Sequence, residues 1–400
     1  MEIDMQTDDY IKIENQIGAN IYNELDVVLT RGEGVWVYDI DGNRYFDCLS
    51  AYSALNQGHV HPRILNALIE QASKLTLTSR AFRNDQLAAF YKELSQLTGY
   101  EMVLPMNSGA EAVETAIKLA RKWAYDVKGI PKYKAEIITF QNNFHGRTTT
   151  IISFSTEEKY KDQFGPFTPG FKSLPYGDLE SVEKEISSKT AAVLIEPVQG
   201  EAGVLIPPEG YLSKLRKLCD RNEILFIADE IQTGLGRTGK LFGLDHEEIR
   251  ADIQIIGKAL SGGFYPVSAV LADRSIMGLY KPGEHGSTFG GNPLGAAVAR
   301  EALRVLVEEN MIENAAIVGE YFQEHLAEIP SPYVKEVRGK GLLIGVELHE
   351  SARRFCEALK DVSILVKETH ENVIRFAPPL IVNKETIDWA VPRIRDVLNM

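Results

Sequence analysis

Charged residues at the ends of apolar runs carry the first chemical signal in this chain. The run Asp252-Ile253-Gln254-Ile255-Ile256-Gly257-Lys258 reads as a buried strand closed by a lysine, with Ala259, Ser261, Gly262 and Gly263 directly after it. Burial disfavours an ammonium ion, so a lysine so placed offers a neutral amine that can attack a carbonyl or aldehyde. Ile224 to Ala228 is a second apolar run, and it stops at Asp229 and Glu230; Ala191 to Ile195 is a third, and it stops at Glu196. In open α/β sheets the chemistry gathers just beyond the carboxyl ends of such strands.

An amine and a carboxylate at neighbouring strand ends suit pyridoxal phosphate, with the amine holding its aldehyde and the carboxylate keeping its pyridine nitrogen protonated. Taken singly, Lys258 could lie along a strand end with its amine in water, and Asp229 could cap a following helix. Their company favours the cofactor.

Candidate phosphate contacts lie in two places. Asn107-Ser108-Gly109-Ala110-Glu111 follows the strand-like Met102–Met106 and has capping-box spacing, with an apolar stripe behind it at Val113, Ala116, Ile117, Ala120 and Ala124. Such a helix start can seat a phosphate on its open N–H groups, or serve only as a cap. His285-Gly286-Ser287-Thr288-Phe289-Gly290-Gly291-Asn292-Pro293 is a second glycine-rich turn with two hydroxyls before a helix. Between them, Asn142–Thr148 sets Phe144 and His145 beside Gly146 and Arg147. This loop could stack on a flat ring and hold a carboxylate, or form a packed aromatic corner with a surface arginine.

Metal readings are weak. Asp39-Ile40-Asp41-Gly42 starts like a calcium loop but lacks the later ligands, and His59 and His61 have no acidic or cysteine partners in sequence. No metal site is expected.

The elements that must position these residues alternate strand and helix from about 100 to 270, which predicts an α/β fold with a mostly parallel sheet flanked by helices. A G-x-G-x-x-G turn and a Walker loop are both missing, against dehydrogenase or nucleotide-hydrolase chemistry. Residues 34–39 and 44–47 predict a hairpin around Asp41-Gly42-Asn43, and 51–59 reads as a site loop before a helix at Pro62. After about 295, long helices and short strands predict a smaller α+β domain, which the hairpin joins. The expected division is 1–48 with the small domain, 49–294 as the large domain and 295–400 as the C-terminal small domain.

A chain of 400 residues with 44% hydrophobic and 25% charged residues has room for such an arrangement. The net charge of −13 argues against nucleic acid, so acidic substrates must find local arginines. Three scattered cysteines, Cys48, Cys219 and Cys356, suggest reduced thiols and a cytoplasmic setting. The acidic start, Met1 to Asp9, has neither signal- nor transit-peptide character, and no apolar run is long enough to span a bilayer.

Four motifs in order, EPVQGEAG from Glu196, LFIADEIQTGLGRTG from Leu225, IIGKALSGG from Ile255 and HGSTFGGNPLG from His285, identify a resemblance to a known family. The chain resembles the class III, omega-type aminotransferases of the fold type I pyridoxal-phosphate enzymes over nearly its whole length, and within them the ornithine-using branch. The resemblance implies a homodimer with shared active sites. It makes Lys258 the lysine that carries the cofactor, Asp229 the partner of the pyridine nitrogen, and Gln232 a neighbour of the phenolic oxygen. Phe144 is implied to stack on the ring with His145 beside it, and the phosphate to meet Ser108, Gly109 and Ala110 together with Ser287 and Thr288 of the neighbouring subunit.

Substrate roles follow by the same resemblance. Tyr22 and Arg147 match positions that hold the α-carboxylate of ornithine, Tyr52 a tyrosine that lines the ornithine pocket, and Glu201 with Arg375 a switch pair. The glutamate masks the arginine while ornithine is bound and releases it for glutamate or 2-oxoglutarate. The implied reaction moves the δ-amine of ornithine to 2-oxoglutarate, giving glutamate 5-semialdehyde, which closes to pyrroline-5-carboxylate, and glutamate. Acetylornithine or 4-aminobutyrate could replace ornithine within the family. A Schiff-base lyase without the cofactor, or a non-catalytic binding protein, are the rivals outside it.

Overall fold

The computed structural model describes residues 5–400; the acidic start at Met1–Asp4 lies outside the described residues. A helix at Thr7–Ile17 precedes three strands, β1 (Leu29–Glu33), β2 (Trp36–Asp39) and β3 (Arg44–Asp47). The predicted hairpin is β2–β3, and its turn is held by the Asp39 carboxylate, which accepts from the Asp41 and Asn43 amides at 3.0 and 2.8 Å.

The central sheet is built from β4 (Met102–Met106), β5 (Glu136–Phe140), β6 (Phe171–Leu174), β7 (Thr190–Ile195), β8 (Leu225–Asp229), β9 (Ile253–Ile256) and β10 (Ser268–Ala272). Their order is β4-β10-β9-β8-β7-β5-β6, parallel throughout except for β10, which runs antiparallel to both neighbours. Every residue of β7 and β8 is buried, as strands covered on both faces must be. Ala192, Leu194, Leu225 and Ile227 face one way, onto the apolar stripe of helix Gly109–Asp126. Val193, Ile195, Phe226 and Ala228 face the other, onto Leu212, Leu215 and Leu218 of helix Tyr211–Arg221.

The C-terminal part contributes β11 (Val334–Lys340), β12 (Leu343–Leu348), β13 (Ile364–Leu365), β14 (Lys367–Thr369) and β15 (Val373–Phe376). An antiparallel sheet has the order β11-β12-β15-β14, while β13 pairs in parallel with β3. The N-terminal hairpin therefore shares a sheet with the C-terminal part, and Ala377 N donates to Cys48 O at 2.6 Å.

Two local features depart from simple expectation. The strand before the key lysine stops at Ile256: Gly257 is still extended but unpaired, and Lys258 opens a short 3₁₀ turn with φ +43°, so the lysine stands two residues past the strand instead of closing it. The loop at 51–59 begins as a left-handed turn, with φ of 49°, 47°, 60° and 73° at Ser50, Ala51, Tyr52 and Ser53. None is glycine, and each such residue costs roughly 1–2 kcal/mol against right-handed geometry.

Candidate active site

Parallel strands deliver their carboxyl ends to one edge of the sheet, and five of them meet there. β4 leads into Ser108–Ala110, β5 into Asn142–Gly146, β7 into Glu196, β8 ends at Asp229 and β9 leads to Lys258. Together they enclose a cavity of about 200 Å³ lined by Gly109, Ala110, Phe144, His145, Glu196, Glu201, Asp229, Gln232 and Lys258.

Local chemistry fixes each wall. Ser108 caps helix Gly109–Asp126: its hydroxyl accepts from Glu111 N at 3.2 Å while the Glu111 carboxylate accepts from Ser108 N at 2.8 Å. The cap leaves Gly109 and Ala110 as the turn that faces the cavity, at the positive end of an 18-residue helix. Asp229 is buried at the other end; one oxygen accepts from Ile231 N at 3.1 Å and the other lies 2.6 Å from His145 Nδ1. Gln232 donates to Glu201 Oε1 at 3.1 Å and to the carbonyl of Tyr52 at 3.2 Å. Gly200 lies against this amide: a Cβ there would sit 1.7 Å from Gln232 Oε1 and would push the side chain aside.

The electrostatics are uneven. Burial pulls the Lys258 ammonium below its usual pKa, against the opposing pull of Glu201. Burial alone would raise the Glu201 carboxyl, but Arg375 and Lys258 outweigh it, and Arg375 Nη1 bonds Glu201 Oε1 at 2.6 Å, so it falls to about 2. Glu196 has no such cation in contact; burial pushes it up to about 8 even though it accepts from Phe144 N at 3.0 Å. Burial works against charge on His145 as well, yet its bond to Asp229 prevails and raises it.

The remaining expected residues lie around this cavity. Tyr52 and Tyr22 line an adjoining apolar cavity of about 470 Å³, and Arg375 Cζ stands 5.5 Å from the centre of the Tyr52 ring. The exposed Arg147 lies over the Tyr160 ring at 4.4 Å, with Phe144 at 5.9 Å. Ser287 and Thr288 do not line the cavity; Ser287 Oγ accepts from Asn107 Nδ2 at 2.9 Å, and Thr288 is exposed. The sequence marks Glu196 as an apolar run closing on a carboxylate but assigns it no role, and it gives no sign of the pairing of His145 with Asp229.

The family model described as "Aminotransferase class-III" matches residues 17–398. The chain belongs to the class-III aminotransferases. It is 58% identical over 392 residues to an ornithine aminotransferase of Geobacillus sp. (strain WCH70), covering 98% of each chain. Among solved structures it resembles the ornithine aminotransferase of Toxoplasma gondii, described with partial occupancy of PLP at its active site, at a TM-score of 0.97 and 44% identity over 98% of this chain and 94% of that one. It also resembles the acetylornithine aminotransferase of Elizabethkingia anophelis, at a TM-score of 0.90 and 47% identity, covering 98% and 99%.

Class-III aminotransferases depend on pyridoxal phosphate, and the residues present fit it. The cavity sets a half-buried amine, a buried carboxylate and a helix N-terminus around one space, and the buried Gln232 Oε1 and His145 Nε2 have no hydrogen-bond partner among the described residues.

Proposed function

We propose that this class-III aminotransferase transfers the δ-amino group of ornithine to 2-oxoglutarate, releasing glutamate 5-semialdehyde, which closes to pyrroline-5-carboxylate, and glutamate. The observation that carries this is the ion pair of Glu201 with Arg375 beside Lys258, with Tyr52 against the arginine. An open arginine there would capture the α-carboxylate of ornithine and present the wrong amine. While Glu201 covers it, that carboxylate is left to Tyr22 and Arg147, and the δ-amine reaches Lys258. For glutamate the pair parts and Arg375 takes the α-carboxylate.

When bound, the cofactor supplies an aldehyde that accepts the amino group and a ring that takes up the electron pair of the broken C–H bond. Lys258 holds it and afterwards accepts and returns the proton at Nζ, a task suited to an amine made less basic by burial. Asp229, oriented by His145, would face the ring nitrogen. With the cofactor bound, Phe144 would cover the ring face, Gln232 would meet its phenolic oxygen, and the Ser108–Ala110 turn would take the phosphate. Ser287 and Thr288 complete the phosphate cup of a second copy, so the working unit is a homodimer. Its three free, buried cysteines suit a cytoplasmic enzyme. Of the segment 1–48, the described residues 5–48 go with 295–400 as the small domain, beside the large one at 49–294.

The ornithine-using relatives named above support this substrate, while the Elizabethkingia enzyme keeps acetylornithine as the competitor. Initial rates with ornithine, acetylornithine and 4-aminobutyrate, each with 2-oxoglutarate, decide between them: ornithine gives the highest kcat/KM. A higher value for either rival reassigns the substrate. Bleaching of the yellow enzyme by ornithine alone separates a transaminase from a lyase without cofactor or a binding protein.

A further inference from the structure

The left-handed turn at Ser50–Ser53 carries Tyr52, and its own side chains do not hold it. The hydroxyls of Ser50 and Ser53 are buried without a partner among the described residues. The turn is instead gripped at its entrance by Asp47, the last residue of β3. One oxygen of this buried carboxylate accepts from Leu49 N at 2.9 Å and Ser50 N at 2.8 Å, and the other lies 2.7 Å from His59 Nε2. His59 is itself fixed by paired backbone bonds with Gly34, at 2.8 and 3.0 Å. Within the turn, the Tyr52 carbonyl accepts from Gln232, the amide that also bonds Glu201. Asp47 thus sits at one end of a continuous path whose other end is the Glu201–Arg375 pair.

We propose that Asp47 is a positioning residue for substrate choice: its carboxylate, braced by His59, holds the strained turn that keeps Tyr52 against Arg375. Four non-glycine residues with positive φ persist only where the surroundings over-determine them, and here the carboxylate bonded to the entrance amides supplies that constraint. Without it the turn relaxes, and Tyr52 leaves the wall of the adjoining cavity. Ornithine, whose α-amine and carboxylate must be steered away from Arg375, then loses its advantage over 4-aminobutyrate, which has no α-amine. This inference rests on Tyr52 lining the ornithine pocket.

The test compares Asp47→Ala and Asp47→Asn, each alone and combined with Ala51→Gly, since glycine adopts the left-handed geometry without help. Holoenzyme kcat/KM is measured with ornithine and with 4-aminobutyrate, alongside thermal melting of the cofactor-free chains. Asp47→Ala lowers the ornithine value about 10-fold or more, chiefly through KM, and the 4-aminobutyrate value less than about 3-fold. Asp47→Asn, equal in size and still able to accept from Leu49 and Ser50, moves the ratio the same way by less, and carries the test if the alanine variant does not fold. Ala51→Gly restores part of the ratio, and raises the melting temperature more in the Asp47 variants than in the natural chain. Equal losses for both substrates, an unchanged ratio, or no coupling to Ala51→Gly overturn the proposal. The ornithine reading is judged separately, on the natural chain alone.

Discussion

His145 Nδ1 lies 2.6 Å from Asp229 Oδ2, with both side chains almost wholly buried. The Nδ1–H of His145 donates to this oxygen and Ile231 N donates to the other at 3.1 Å, so both carboxylate oxygens of Asp229 are hydrogen-bonded away from water. The pair fixes the orientation of the Asp229 carboxylate at its buried strand end.

Replacing His145 with alanine leaves that carboxylate buried with one hydrogen bond fewer. A hydrogen bond to a charged group contributes about 1.5–3 kcal/mol, so cofactor affinity should fall about 10- to 100-fold. Fluorescence titration of the cofactor-free variant with pyridoxal phosphate measures this. An unchanged Kd would reduce His145 to packing.

Glu196 makes the opposite arrangement. Its pKa of about 8 keeps it neutral in the folded protein at pH 7, whereas in the unfolded chain it ionises near the ordinary value of 4.5. Between those two values the unfolded state binds fewer protons, so this group lowers stability progressively as pH rises from about 4.5 to about 8. Glu196→Gln copies the neutral acid and removes the effect. Melting curves of the cofactor-free variant should then fall less steeply over that range, a difference of about a few kcal/mol by pH 8. Parallel curves for the two chains would mean that Glu196 is ionised when folded.

Much of this site was legible because local pattern and tertiary structure agree. The short apolar runs ending in Asp229 and Glu196, which carry β-branched residues, form strands, and the Ser108–Glu111 capping spacing starts a helix, as their local pattern favours. The pairing of His145 with Asp229 joins residues 84 positions apart, and no local pattern carries that. The left-handed turn at Ser50–Ser53 was hidden for a different reason: the usual mark of such geometry is glycine or asparagine, and here an upstream aspartate takes over their task. The reversal of β10 and the two-residue offset of Lys258 from β9 likewise depend on how strands pair, not on their composition.

Lys258→Ala should fold and bind cofactor, since no cation is needed to fill its place, but lose turnover by about a thousandfold or more, the scale on which proton transfer and covalent attachment act together. Single-turnover absorbance after mixing with ornithine reads the chemical step. Added primary amines such as methylamine should recover part of the rate, because the lost function is an amine that can move a proton. Near-natural turnover in this variant would remove Lys258 from the chemistry.

Glu201→Gln tests the arginine mask. The Glu201 pKa is held at about 2 against an ordinary 4.5, so its pairing with Arg375 is complete above about pH 4.5 and is lost only as pH falls through 2. Across the working range the carboxylate stays charged, and the exchange between substrates must come from movement of the side chain, not from its protonation. Glutamine keeps the shape but not the charge, so Arg375 becomes open to any α-carboxylate. The kcat/KM for ornithine should fall about 10-fold or more, since the chain can now dock by its wrong end, while that for glutamate holds or rises. The ratio of the two values, compared at pH 6 and pH 8, is the measurement. A matching fall for both substrates would mean that Glu201 supports the pocket as a whole and does not select between its occupants.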